Sequence, residues 1–344
     1  MTITNEVRAK ACLSRIGYYR LSAYWYPNRK SESYTDPNDG RQKTRVLDDF
    51  RDETHFSDAL DFYVFDKKLR LLVMDALERV EISVRTDIAV FMGLHGSWVH
   101  RDASKLHGNF SRPNVAPARI KQIQALARQH PRPNNQSIAV TVGVSIKAVN
   151  LVLRNPSKAA QGKLDEWLSR LDDKFKKSKE DFAKHFKKKY PNDEPPIWVA
   201  VELWDFGTLS HFFSGMKVVD RDEIAARYGI PSGDVLEGWL RNLNDVRNLC
   251  AHHSRLWNRN LPFIPTWPDQ GQILDLDHLV GQTHSLSRFY ASAVILRHLL
   301  LTINPTSTWA ERLAEHVATL PNNPYVTLAS AGFPENWVDQ DIWK

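Results

Sequence analysis

An all-α fold is what this sequence predicts. One stripe of apolar residues at helical spacing runs through its first third, another through its last third, and convincing alternating strands are hard to find. With 42% hydrophobic and 25% charged residues among 344, the chain can bury a sizeable core as one large or two ordinary domains.

The opening MTITNEVRAKACLSRIGYY is broken by charge, lacks a signal-peptide apolar core, and is followed nowhere by a run of about 18 apolar residues. A cytoplasmic protein that does not span a membrane is therefore expected. Cys12 and Cys250 lie far apart and fall short of a zinc quartet, so neither a disulfide nor a metal is expected of them.

The first long helix lies in VFDKKLRLLVMDALERVEISVRTDIAVFMGL. Phe65, Leu69, Leu72, Ala76, Val80, Val84, Ile88 and Phe91 step by three or four, which places them on one stripe of about seven turns. Lys67, Arg70, Glu78, Glu81 and Arg85 are expected on the opposite face, with Glu81 and Arg85 at ion-pair spacing.

Between Asp102 and Asp165 there is no carboxylate, while ten Lys and Arg residues fall there. The net charge is +6, so the remainder of the chain sums to −4. Such a stretch attracts a polyanion, phosphate backbones above all, although a solvated basic loop is the simpler alternative. FSRPNVAP and HPRPNN look like linkers. In SIAVTVGVSIKAVNLVLRN, Ala139, Gly143, Val149 and Val152 fall at helix-turn-helix offsets, which puts Ser145, Lys147, Asn150 and Arg154 on the exposed side of the second helix. Lys147, Asn150 and Arg154 are the candidate nucleic-acid-binding residues.

In RLDDKFKKSKEDFAKHFKKKY the aromatic residues Phe175, Phe182, Phe186 and Tyr190 recur at roughly helical spacing, so a core-facing stripe is expected rather than a base-stacking platform. Shorter helices are expected at PPIWVAVELWDFGTLSHFFSGM and HSLSRFYASAVILRHLLLTI. After Ile303 come a further short helix and a tryptophan-bearing tail that packs back on the body.

The second long helix, VLEGWLRNLNDVRNLCAHH, should bury Leu236, Leu240, Leu243, Val246 and Cys250, leaving Asn244, Asn248 and His252 as a polar ridge and SRLWN as the turn that ends it. Arg247 and His252 lie roughly 140° apart on an ideal helix. A site that uses both is easier to build if the helix ends near His252, or if a two-fold axis brings in a second copy. Arginine holds a phosphate and histidine moves a proton near neutral pH, a pairing suited to cleavage of RNA by its own 2′-hydroxyl without metal or cofactor. A polar patch that merely closes the helix is the alternative. No glycine-rich phosphate loop and no GxSxG elbow occurs.

Five stretches in order carry a family resemblance: IGYYRLSAYWYP, FDKKLRLLVMDALERVEISVRTDIA, SKEDFAKHFKKKY, PPIWVAVELWDFGTLSHFFSGM and WLRNLNDVRNLCAHHSRLWNRNLP. With them the chain resembles the Abi-like abortive-infection proteins of the AbiD/AbiF type, which are similar to the HEPN ribonucleases. That resemblance implies a HEPN-type helical bundle, a homodimer with a composite cleft, and metal-independent RNA cleavage in anti-phage defence. It maps the signature onto Arg247, Asn248 and His252, with His253 and Asn244 supporting. Residues 1–108 and 161–304 would form the Abi-like domain and 305–344 a tail. Residues 109–160, with no recognised counterpart, would be a basic helix-turn-helix-like insertion that grips RNA or DNA, a regulatory RNA included. A non-catalytic nucleic-acid-binding regulator is the rival expectation.

Overall fold

The computed structural model describes residues 1–344. It is predominantly helical, with seventeen α-helices, short 3-10 turns and a single two-stranded sheet. In chain order, α1 (Glu6–Ile16) and α2 (Tyr18–Trp25) precede the strands β1 (Arg29–Thr35) and β2 (Gln42–Phe50) and the long α3 (Phe56–Gly93). Next come α4 (Gly108–Ser111), α5 (Pro117–Ala127), α6 (Asn135–Val142), α7 (Ile146–Arg154) and α8 (Pro156–Ala160). They are followed by α9 (Lys163–Lys177), α10 (Asp181–Lys189), α11 (Ile197–Ala200), α12 (Phe206–Gly215) and α13 (Val218–Arg227). The chain closes with α14 (Gly233–Ala251), α15 (Thr283–Leu286), α16 (Phe289–Ile303) and α17 (Trp309–Ala318). No single helix is long and apolar enough to cross a membrane.

The chain divides into two compact units, residues 1–80 with 238–344, and residues 81–237. In the first unit, α3 begins earlier than its predicted stripe, because Phe56, Ala59 and Phe62 continue the three-residue step down to Phe65 and all are buried. Arg70 departs from expectation. It was expected on the solvent face, yet it is buried and paired with Asp66 one turn earlier. The predicted ridge of α14 is borne out, with Leu240, Leu243, Val246 and Cys250 all buried. Helix α16 is buried almost all round, which is why its sequence shows little polar periodicity. The tail does pack back: Trp343 Nε1 donates to the Tyr290 hydroxyl (3.2 Å), and Arg297 Nε donates to the Ile342 carbonyl (3.1 Å).

The hairpin is the element that periodicity does not reveal. Its strands pair antiparallel with Glu32 opposite Arg45 and Tyr34 opposite Lys43, and both strands are largely exposed. With no buried face there is no apolar alternation to detect, and only the turn residues in TDPNDG mark it.

In the second unit, the expected ion pair forms, with Arg85 Nη2 2.6 Å from Glu81 Oε1 and also donating to the Trp204 carbonyl at 2.9 Å. The basic stretch is ordered, and FSRPNVAP is no linker: Phe110 is buried against Trp167 and Phe212, and Val115 is buried with Ile120, Ile123, Ile138, Ala139, Val149, Val152 and Ala159. Helices α6 and α7 meet at 109°. Gly143 makes that corner in the left-handed region (φ 69°), and Ser145 caps α7 by accepting the Ala148 N–H at 3.2 Å. The predicted helix at PPIWVAVELWDFGTLSHFFSGM is broken in two. Asp205 caps α12 by accepting the Thr208 N–H at 2.8 Å, so a new helix starts there. Nor is the aromatic stripe of α9 and α10 core-facing throughout. Phe182 and Tyr190 are exposed, and Phe175 and Phe186 are half-buried, packing on one another at 5.9 Å.

Candidate active site

Helix α14 ends at Ala251, so His252 stands at a terminus. The ending has a definite backbone geometry. The Ser254 N–H bonds the Leu249 carbonyl (2.8 Å), the His253 N–H bonds the Cys250 carbonyl (3.0 Å), and His253 takes the left-handed conformation (φ 57°). Glycine usually occupies that position because a Cβ is strained there, so a histidine held in it must be fixed by its surroundings. Arg20 supplies one fixture: its Nη1 donates to the His253 carbonyl at 2.8 Å.

A buried ionic cluster supplies the other. The Asp66 carboxylate accepts the Tyr24 hydroxyl (2.8 Å) and the backbone N–H groups of Leu256 (3.1 Å) and Trp257 (2.8 Å), and it pairs with Arg70. Arg70 also donates to the Ser254 carbonyl at 3.4 Å. Burial, then the carboxylate beside it, pushes the Tyr24 phenol up. Arg255 completes the tie, donating to the carbonyls of Ala23 and of Asn258, the latter at 3.0 Å. SRLWN is thus more than a turn. Three of the resemblance stretches, YRLSAYW, FDKKLR and SRLWN, converge here to hold the chain just beyond the histidines.

His252 and His253 line an open cleft of about 620 Å³ with Tyr19, Arg20 and Tyr26 from α2 and the turn after it, and with Arg255 and Arg259 beyond the helix end. No carboxylate lines it. Arg247, Asn248 and Asn244 do not line it. All three are half-buried on α14, and Arg247 Nη1 donates to Asn248 Oδ1 at 3.2 Å. One chain therefore brings the two histidines together with Arg20 and Arg259, not with Arg247. Cys250 beneath them is buried, and desolvation followed by the Asp66 charge pushes its thiol up to about 12, which leaves it a packing group.

Sequence reasoning missed Tyr24, Asp66, Arg70, Arg20 and Arg259. The i,i+4 spacing of Asp66 and Arg70 was a usable signal; nothing local marked the rest. Lys147, Asn150 and Arg154 are exposed on α7 as expected, and Asn150 Oδ1 accepts from Asn135 at 2.8 Å. No group of three or more His, Cys, Asp or Glu side chains is placed to hold a metal ion.

A predominantly helical chain, its second long helix ending at a histidine pair over a cationic cleft lined from a helix near the N-terminus, is the arrangement the fold provides. The chain belongs to the Abi-like protein family, whose model matches residues 11–258. Membership supports a role related to abortive infection. Neither the curated proteins nor the solved structures compared with the chain contain a match.

Proposed function

We propose that this protein is a metal-independent RNA endonuclease of the AbiD/AbiF type, related to the HEPN ribonucleases and acting as a cytoplasmic homodimer in abortive infection. The observation that carries this reading is His252 at a fixed helix end, facing a cleft lined by arginines and tyrosines and free of carboxylates. His252 takes the proton from a ribose 2′-hydroxyl, the 2′-oxygen bonds the adjacent phosphorus, and the bond from phosphorus to the 5′-oxygen breaks as His252 returns that proton to the leaving 5′-oxygen. Products are a 2′,3′-cyclic phosphate and a 5′-hydroxyl. Arginine neutralises charge building on the phosphate. Because Arg247 lies outside the cleft of its own chain, its role in the reading is to complete the cleft of a second copy, with Asn248 orienting its guanidinium. His253 and Asn244 support the geometry. Expression of wild type beside Arg247→Ala and His252→Ala tests this: toxicity and RNA breakdown should be lost in both variants, and equal toxicity would remove these residues from catalysis.

A specific observation favours a second reading, a non-catalytic nucleic-acid-binding regulator. Residues 109–160 have their own apolar cluster, and α6 and α7 meet as a helix-turn-helix with Lys147 and Arg154 exposed. The same surface would serve the nuclease by gripping a regulatory RNA. If the regulator reading holds, Lys147→Ala with Arg154→Ala abolishes function while His252→Ala is silent.

A further inference from the structure

Residues 109–160 hold a cationic surface that the cleavage chemistry does not use. Helices α6 and α7 meet at 109° across the turn of Gly143, Val144 and Ser145, and Ala139, Val149 and Val152 are buried in one cluster with Ile120 and Ile123 of α5. That packing turns one face of α7 to solvent: Ile146, Lys147, Asn150 and Arg154 are all exposed. Cations continue past both ends of the helix. Arg112 and Arg119 line a cavity of about 560 Å³ at its N-terminus together with Asn114 and Ser145, while Lys158 and Lys163 are exposed beyond its C-terminus. No carboxylate falls between Asp102 and Asp165 to compete with a phosphate for them.

Two features select the partner. Between residues 109 and 160 the only Phe, Tyr or Trp is Phe110, which is buried, so α7 and its flanks lack the exposed rings on which unpaired bases stack. A helix with its side chains is about 10–12 Å across, which fits the roughly 12 Å major groove of B-form DNA but not the deep, narrow major groove of A-form RNA. We propose that this chain binds duplex DNA with α7 laid in the major groove, Lys147, Asn150 and Arg154 at base edges, and Arg112 and Arg119 on the flanking phosphates. Lysine and arginine donate to guanine O6 and N7, and asparagine pairs with adenine N6 and N7, so this face carries a sequence preference as well as charge. The proposal rests on the reading of residues 109–160 as a nucleic-acid-binding surface and deepens it by naming the nucleic acid; it does not depend on the cleavage reading.

The test uses the full chain and a pool of DNA duplexes with a randomised centre, carried through rounds of binding and sequencing. Lys147, Arg154 and Arg119 are exposed and lie outside the apolar cluster, so their alanine variants keep the fold. Wild type should enrich a base pattern, and it should bind the enriched duplex at least about tenfold more tightly than a 2′-O-methyl RNA duplex of the same sequence, which keeps the A-form. Lys147→Ala with Arg154→Ala should raise the DNA Kd by about fivefold to a hundredfold and flatten the base pattern. Arg119→Ala should weaken binding to every duplex alike and lower the slope of log Kd against log salt by about one. No enriched pattern, or RNA held as tightly as DNA, with binding lost in the double variant, overturns the proposal and leaves a nucleic-acid-binding surface. DNA and RNA both bound by the double variant as by wild type overturns the proposal and that underlying reading together.

Discussion

The carboxylate of Asp66 accepts the backbone N–H of Trp257 at 2.8 Å, and through that bond a buried acid on α3 fixes the chain that follows the histidine pair of α14. The same carboxylate holds Leu256 and pairs with Arg70. The shape of the cleft therefore depends on a residue that never faces it.

Asp66→Asn should be among the most damaging single changes. Leaving Arg70 buried without its anionic partner costs about 3–5 kcal/mol, and an amide NH2 in place of one carboxylate oxygen meets donors where an acceptor is needed: Oδ1 takes Leu256 and Trp257, and Oδ2 takes Tyr24 and Arg70. Urea denaturation should show the loss of stability, and any folded fraction should have lost cleavage. A variant as stable as wild type would show that the cluster does not anchor the fold.

His253 should tolerate glycine. Its φ of 57° is strained for a residue with a Cβ, so His253→Gly should leave stability unchanged or raise it by up to about 1 kcal/mol. Cleavage should persist, because the Arg20 bond goes to the backbone carbonyl. Loss of activity with folding intact would make the His253 side chain catalytic.

Cys250 should be unreactive in the native protein, its thiol pushed up to about 12 by burial and then by Asp66. Iodoacetamide at pH 8, followed by mass spectrometry, should label the half-buried Cys12 ahead of it. Labelling of Cys250 in the folded chain at a comparable rate would refute its burial.

Acid should weaken the fold through His100. Burial, and then the adjacent Arg101, hold this imidazole at about 3. The unfolded chain takes up the proton near pH 6.5 and the folded chain does not, so stability is full above about 6.5 and falls as the pH drops toward 3. The loss is about 1.4 kcal/mol per pH unit, hence roughly 2 kcal/mol between pH 6.5 and 5. Burial moves His211, His278 and His316 in the same direction. Thermal melts at pH 7 and 5 should show a smaller acid penalty for His100→Leu than for wild type, and equal penalties would contradict this.

The helices were legible because a stripe such as Phe65 to Phe91, or Leu236 to Cys250, records burial on one side of a helix. The corner at Gly143 was legible because left-handed backbone selects glycine. The hairpin was not, since exposed strands impose no alternation, and the break at Asp205 was hidden inside the apolar-rich stretch PPIWVAVELWDFGTLSHFFSGM. Of the candidate site, Arg247 and His252 were visible as a local motif. Arg20, Tyr24 and Asp66 were not, because only tertiary packing brings α2 and α3 to the end of α14.

The most direct test is cleavage of a synthetic RNA by purified protein in the presence of EDTA, with the product ends identified. The metal-independent mechanism gives 2′,3′-cyclic phosphate and 5′-hydroxyl ends from wild type, and a rate at least about a hundredfold lower for His252→Ala. Cleavage by His252→Ala at the wild-type rate, or activity abolished by EDTA, would contradict it.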